Sequence, residues 1–214
     1  MFTTTLVDKN GNPLRITKAG EMVTSRRMPD YATLVNDGKV FEALDTTTTV
    51  ALVARPTTLA SLTLANPASS GKHYVVFGLS MYTDVVPATL GTVSVWHCVH
   101  KLPVAAGFTA DLVLRGTGAG SAACLKAGID YSGVAVIDRG ATVVDDGWVP
   151  TPLSLVSNIA TTNFQAAAAK LTAPVIIPPG LHYSLQTTAT VVTFESALGF
   201  TWAEVDESDL QYIA

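Results

Sequence analysis

Residues Leu90–Lys101 read LGTVSVWHCVHK. The run alternates: Val93, Val95, His97 and Val99 fall on one face, and Thr92, Ser94, Trp96, Cys98 and His100 on the other. A period of two is that of a strand half-buried against a core. Valine and threonine suit such a surface, because branching at Cβ restricts χ1 and packs well on a pleat. Working outward, runs of the same kind recur at Thr49–Ala54, Leu59–Leu64, Lys72–Thr83, Asp111–Arg115, Gly133–Asp138 and Ala141–Val144. Others follow at Ala173–Ile177, Leu181–Thr187, Thr190–Glu195 and Gly199–Val205. Turn signals separate them, among them Asn66–Gly71 (NPASSG) and Pro178-Pro179-Gly180. Many short strands punctuated by turns predict an all-β fold, a β-sandwich or jelly roll. Helix signals are confined to Asn163–Leu171 (NFQAAAAKL) and Ser121–Ala127, so at most one or two short helices are expected.

Only 14% of the chain is charged, against about 25% in a typical soluble domain. The chain has 13 basic and 17 acidic residues, and six of each lie in residues 1–45. The shift divides the molecule into an extended N-terminal arm, 1–45, and a β-sandwich body, 46–214. The arm carries the turn Asn36-Asp37-Gly38, after which Val40 and Phe41 would form part of a hairpin. The body cannot rely on charge for solubility, nor on lysine-studded edges to stop strand pairing. Much of its surface is therefore expected to lie against other protein, which points to a subunit of an assembly rather than an enzyme. The net charge of −4 gives no footprint for nucleic acid. No apolar run approaches the roughly 20 residues of a membrane span. The N-terminal MFTTTLVDKNGNPLR lacks the pattern of a signal peptide, which predicts synthesis and folding in a cytosol. Cys98 and Cys124 are accordingly expected to be reduced.

Five groups of residues carry chemical suggestions. Asp111–Gly140 contains Gly118-x-Gly120-x-x-Ala123 with Asp138 following, the order and spacing of a dinucleotide fingerprint. A small oxidoreductase built on those residues is the alternative function. The flanking sequence reads as β without helical alternation, so a Gly-rich loop between strands is the preferred reading. Trp96–His100 (WHCVH) holds three metal-type ligands, but on a strand only Cys98 and His100 share a face, too few for zinc without help from His73 or His182. Asp145-Asp146 before Gly147-Trp148 reads as a solvated turn. Trp96, Trp148 and Trp202 would be stacking platforms if the sandwich bound carbohydrate or a receptor, the second alternative. No catalytic, cofactor or metal residue is assigned. Ser25–Tyr31 (SRRMPDY) concentrates the arm's basic charge, and arginine forks suit carboxylate partners. Arg26, Arg27, Tyr31 and Phe41 are the candidate partner-binding residues.

Two stretches, Asp30–Ala43 with its preceding proline (PDYATLVNDGKVFEA) and Pro56–Tyr82 (PTTLASLTLANPASSGKHYVVFGLSMY), resemble structural proteins of tailed-bacteriophage virions. The run Pro179–Glu204 (PGLHYSLQTTATVVTFESALGFTWAE) is similar to final strands in such proteins. The resemblance covers about a third of the chain. It implies a β-sandwich head-decoration (cement) protein or another virion component, assembled in the host cytoplasm. The implied partners are the major capsid protein or other virion proteins and further copies of the chain, as a trimer. It transfers no individual functional residue, because binding in that class is by surfaces.

Overall fold

A computed structural model describes residues 34–35, 38–45, 48–85, 91–101, 115–116, 135–157, 166–190, 194–207 and 210. Among them the chain forms strands β1 (Val40–Leu44), β2 (Thr49–Val50), β3 (Leu62–Ala65), β4 (His73–Val85), β5 (Gly91–His100) and β6 (Arg115–Gly116). It continues through β7 (Val136–Arg139), β8 (Val149–Ser157), β9 (Ala166–Ile177), β10 (His182–Ala189) and β11 (Glu195–Val205). One sheet has the order β6-β1-β11-β4-β9, with β2 also beside β11. The other has the order β7-β3-β10-β5-β8. Every pairing between named strands is antiparallel. The fold is an all-β sandwich.

The long strands pair in a nested sequence. β1 pairs with β11, β3 with β10, β4 with β9 and β5 with β8. The chain thus doubles back on itself as one long ribbon. Rolling that ribbon adds the contacts β4–β11 and β5–β10, which close the two sheets. Between them lies the core, including Leu62, Leu64, Tyr74, Leu79, Val95, Tyr183, Phe200 and Trp202. Each such side chain, fully buried, contributes roughly 1.5–3 kcal/mol of transfer free energy.

β4 shows how local sequence serves this core. Tyr74 and Val76 face inward, and so do Leu79 and Met81, although strict alternation would turn the second pair outward. The register breaks at Phe77 against both neighbouring strands, a bulge that shifts the alternation by one residue. Gly78 sits at the bulge, where an added Cβ would lie 3.0 Å from the Thr201 side chain.

Two polar devices tie the sheets together. Asn66, fully buried at the β3–β4 turn, donates from Nδ2 to the Lys72 carbonyl (2.8 Å) and the Ile177 carbonyl (2.9 Å). Its Oδ1 accepts from the Ser70 hydroxyl, and its backbone pairs with Gly180 and Leu181. The NPASSG and PPG turns are therefore fastened to each other. Asp45, buried just past β1, receives a forked contact from Arg139 of β7, with Nε at 2.7 Å.

Several sequence expectations need correction. Ala166–Lys170 is strand, not helix: its ladder with Ser80–Tyr82 and their neighbours on β4 outweighs alanine's helical preference. Of the strand expected at Thr190–Glu195, Glu195 opens β11 and Thr190 follows the end of β10 at Ala189, while residues 191–193 lie outside the described residues. β8, which contains Pro150 and Pro152, is not among the strands expected from the sequence. It is an edge strand, where a missing N–H does no harm. β1 is an integral strand with β11, so the sandwich includes residues 40–44, which composition alone gives to the arm. The Ser121–Ala127 helix expectation and residues 1–33 of the arm lie outside the described residues.

Candidate functional site

The densest group of chemically capable side chains lies on the outer face of the second sheet. β5 and β10 create it through their register. His182 stands opposite His100, Ser184 opposite Cys98, and Gln186 opposite Trp96. Alternation puts all six on one face, while Val93, Val95, Tyr183 and Leu185 of the same strands enter the core. The strip 140–148 covers this face. Its backbone is pinned to residues 58–61 by bonds from the Ala60 N–H to the Ala141 carbonyl and from the Val143 N–H to the Thr58 carbonyl. Ala60, Cys98, Ala141, Val143 and Trp148 then form a second apolar cluster, with Trp96 against it.

His100 is at the centre. Its ring stacks on His182 at 4.3 Å and meets the edge of Trp148 at 5.7 Å. Its Nδ1 lies 2.7 Å from the Val144 carbonyl. A carbonyl only accepts, so Nδ1 carries a proton. Burial holds the His100 pKa below the ordinary imidazole value. His182 is pushed down to about 4, first by burial and then by His100 beside it. Burial pushes the Cys98 thiol up. Its Sγ lies 3.7 Å from His100 Nδ1, the atom whose proton is already given to Val144. That nitrogen cannot take a proton from the thiol, so the pair is not arranged as a Cys–His nucleophile dyad. Among the described residues no group of three or more His, Cys, Asp or Glu is placed to hold a metal ion.

The neighbouring acids are also engaged. Asp145 receives the Arg55 fork at 2.8 and 2.9 Å, which holds its carboxyl below the usual range. Asp146 accepts the Lys101 N–H at 2.8 Å. Trp148 donates its indole N–H to the Thr57 carbonyl at 2.8 Å. Each of these bonds fastens the 144–148 strip to the body, so the arrangement works as an aromatic lock over a neutral histidine pair.

Comparison with family models, with curated proteins and with solved structures found no match to this chain.

The remaining sequence candidates separate as follows. Phe41 is buried in the sandwich's own core, its ring 5.9 Å from that of Trp202. Its side chain is used within the fold and is not displayed for docking. Arg26, Arg27 and Tyr31 lie outside the described residues, as do Gly118, Gly120 and Ala123. Asp138 sits on β7, opposite Thr63 in an antiparallel sheet, whereas the dinucleotide fingerprint works between parallel strands joined by a helix. Trp148 and Trp202 have their faces inside the protein, and Trp96 is half-buried with its N–H on the Thr188 hydroxyl. The stacking role expected of Trp148 and Trp202 is therefore corrected: their rings fill space within the fold. His73 begins β4 in the other sheet, opposite Val205, apart from the Trp96–His100 cluster. His97 turns to the opposite face, with Nδ1 2.7 Å from the Tyr183 hydroxyl. The partnership of His182 with His100 had no signal in spacing; only the rolled topology brings them together.

Proposed function

We propose that this chain is a non-enzymatic structural component of a tailed-phage particle, a capsid decoration (cement) protein that binds and stabilises the assembled shell. The observation that carries the reading is the nested strand order, β1–β11, β3–β10, β4–β9 and β5–β8. That order supports a jelly-roll reading of the sandwich, a fold that recurs in viral capsid proteins and lectins. A fold hosts many functions, so the resemblance of Pro56–Tyr82 and Pro179–Glu204 to virion proteins narrows the choice. The engagement of Asp145, Asp146, His100 and Trp148 in bonds that hold the strip down agrees with a structural role.

In this reading the sandwich supplies an oligomeric body, and residues upstream of β1 supply the dock, with Arg26, Arg27 and Tyr31 meeting carboxylate-bearing surface on the major capsid protein or other virion proteins. A subunit that binds only the assembled shell stabilises it by mass action, and many copies convert modest contacts into avidity. The full-length chain carrying Arg26→Ala, Arg27→Ala and Tyr31→Ala tests this by co-sedimentation with purified shells. Loss of binding with unchanged unfolding supports the arm as the dock. Full binding by the triple variant refutes the arm, and no binding by the wild type refutes the cement role.

A further inference from the structure

Residues 140–148 leave β7 on one side of the second sheet and enter β8 on the other. The strip therefore crosses β3, β10 and β5, and it lies outside both ladders. It runs between two glycines with positive φ, Gly140 at 68° and Gly147 at 105°, and an added Cβ would meet nothing within 4 Å at either. Its fastenings go to residues 55–61 and to Lys101: the Ala60 N–H to the Ala141 carbonyl, the Val143 N–H to the Thr58 carbonyl, the Arg55 fork to Asp145, and the Lys101 N–H to Asp146. None of these is a rung between β5 and β10, so the strip can lift while the sheet stays paired. Beneath it lie His100, fully buried, and His182, their rings stacked at 4.3 Å and 23° apart. His100 reaches the strip twice, through Nδ1 to the Val144 carbonyl and through its contact with the edge of Trp148. Its Nε2 is buried with no hydrogen-bond partner among the described residues. A proton added there would be a buried donor without an acceptor, on a charged ring.

We infer that residues 140–148 form an acid-opened strap, lifted from the second sheet by protonation of the stacked His100–His182 pair before the sandwich itself unfolds. A dry stack disfavours one charge and opposes two, and water reaches the rings when the cover leaves. Both histidines are held below the ordinary imidazole value, first by burial and, in His182, next by His100. Among the described residues, the ionisable groups facing the pair are Cys98 on β5 and Asp145 and Asp146 on the strip, with Arg55 bonded to Asp145. β3 presents Ala65 and Thr63 to this side, and Asp138 of β7 lies one strand further out, opposite Thr63. The two acids on the strip favour charged rings, but burial outweighs them. The open strip therefore takes up protons that the closed strip refuses. The strap is shut above about pH 6.5, and each pH unit below it favours opening by up to about tenfold per linked proton. Opening uncovers the apolar cluster of Ala60, Cys98, Ala141, Val143 and Trp148. The inference concerns the cover of this face and stands whether or not the particle reading holds.

Cys98, buried beneath the strip, reports the opening. In the full-length chain carrying Cys124→Ser, its modification by dithiodipyridine is timed from about pH 7.5 down to about pH 5. Each rate is divided by that of the urea-unfolded chain at the same pH, which removes the thiol's own titration. The ratio should rise about tenfold or more over that range, while the amides of β5 and β10 stay protected from hydrogen exchange. His100→Gln with His182→Gln should keep the ratio low and flat, and His182→Gln alone should make the rise shallower. Arg55→Ala removes the fork on Asp145 and should raise the ratio at every pH. A ratio that does not change with pH overturns the inference, and so does one that rises only in step with exchange of the sheet amides. An undiminished rise in both histidine variants overturns the trigger. An Arg55 variant no more reactive than the wild type overturns the strip as the cover.

Discussion

Replacing Asn66 by alanine should destabilise the whole sandwich, although Asn66 lies in a turn. The side chain makes three bonds: two from Nδ2, to the Lys72 and Ile177 carbonyls, and one at Oδ1, from Ser70. Each contributes a net of about 0.5–1.5 kcal/mol, and a buried carbonyl left without its donor costs about 1–3 kcal/mol. The bond to Ile177 is buried, so its loss weighs towards the upper end. The total is about 3 kcal/mol, or roughly 6–12 °C in Tm for a domain of this size. Urea unfolding followed by tryptophan fluorescence measures it as a lower midpoint at unchanged slope. Asn66→Asp retains the acceptor for Ser70 but turns a carboxylate towards two carbonyls, so it should be no milder than alanine. A loss below about 1 kcal/mol for either variant would refute the claim that this residue fastens the two turns.

Three further outcomes are expected. Gly199→Ala should cost about 1–3 kcal/mol by forced repacking, because the new Cβ would meet Ser80 Oγ and lie 2.7 Å from the Ala43 carbonyl; an unchanged melting temperature would contradict it. His182 is held at about 4 against an ordinary 6.5, so between those values the unfolded chain binds more protons than the folded one. Stability is full above about pH 6.5 and falls as pH drops towards about 4, with this group's share of the slope approaching about 1.4 kcal/mol per pH unit; His182→Gln should flatten that slope, and an unaltered pH profile would count against the buried pair. Trp148→Phe keeps a ring over His100 but loses the bond to Thr57; it should cost about 1 kcal/mol in urea unfolding, and a stabilised variant would argue against the lock.

The all-β class was legible because alternation survives wherever one face of a strand is covered. Leu90–Lys101 is the clear case: Val93 and Val95 enter the core, and Cys98 and His100 turn away. What escaped sequence reading escaped for physical reasons. Alanine's helical preference in Ala166–Ala169 is weak beside a β4 ladder that only the fold supplies. Prolines in β8 look like breakers until the strand proves to be an edge. Phe41 sits among charged residues in sequence yet packs on Trp202, because β1 is the first strand of the ribbon and meets the last. The bulge at Phe77 hides the inward set of β4 from a strict period-two reading. The candidate site was half visible: Trp96, Cys98 and His100 stand together in sequence, but His182 and Trp148 arrive through register and through the folded strip.

The proposed role makes a claim about location, and peptide mass spectrometry of gradient-purified particles from the phage that, on this proposal, would encode the chain tests it most directly. The account predicts the chain in the particle band at a fixed ratio to the major capsid protein. It also predicts that particles stripped of the chain break at a lower temperature than intact ones. Recovery of the chain only in the soluble fraction, with particles complete and equally heat-resistant without it, would contradict the account.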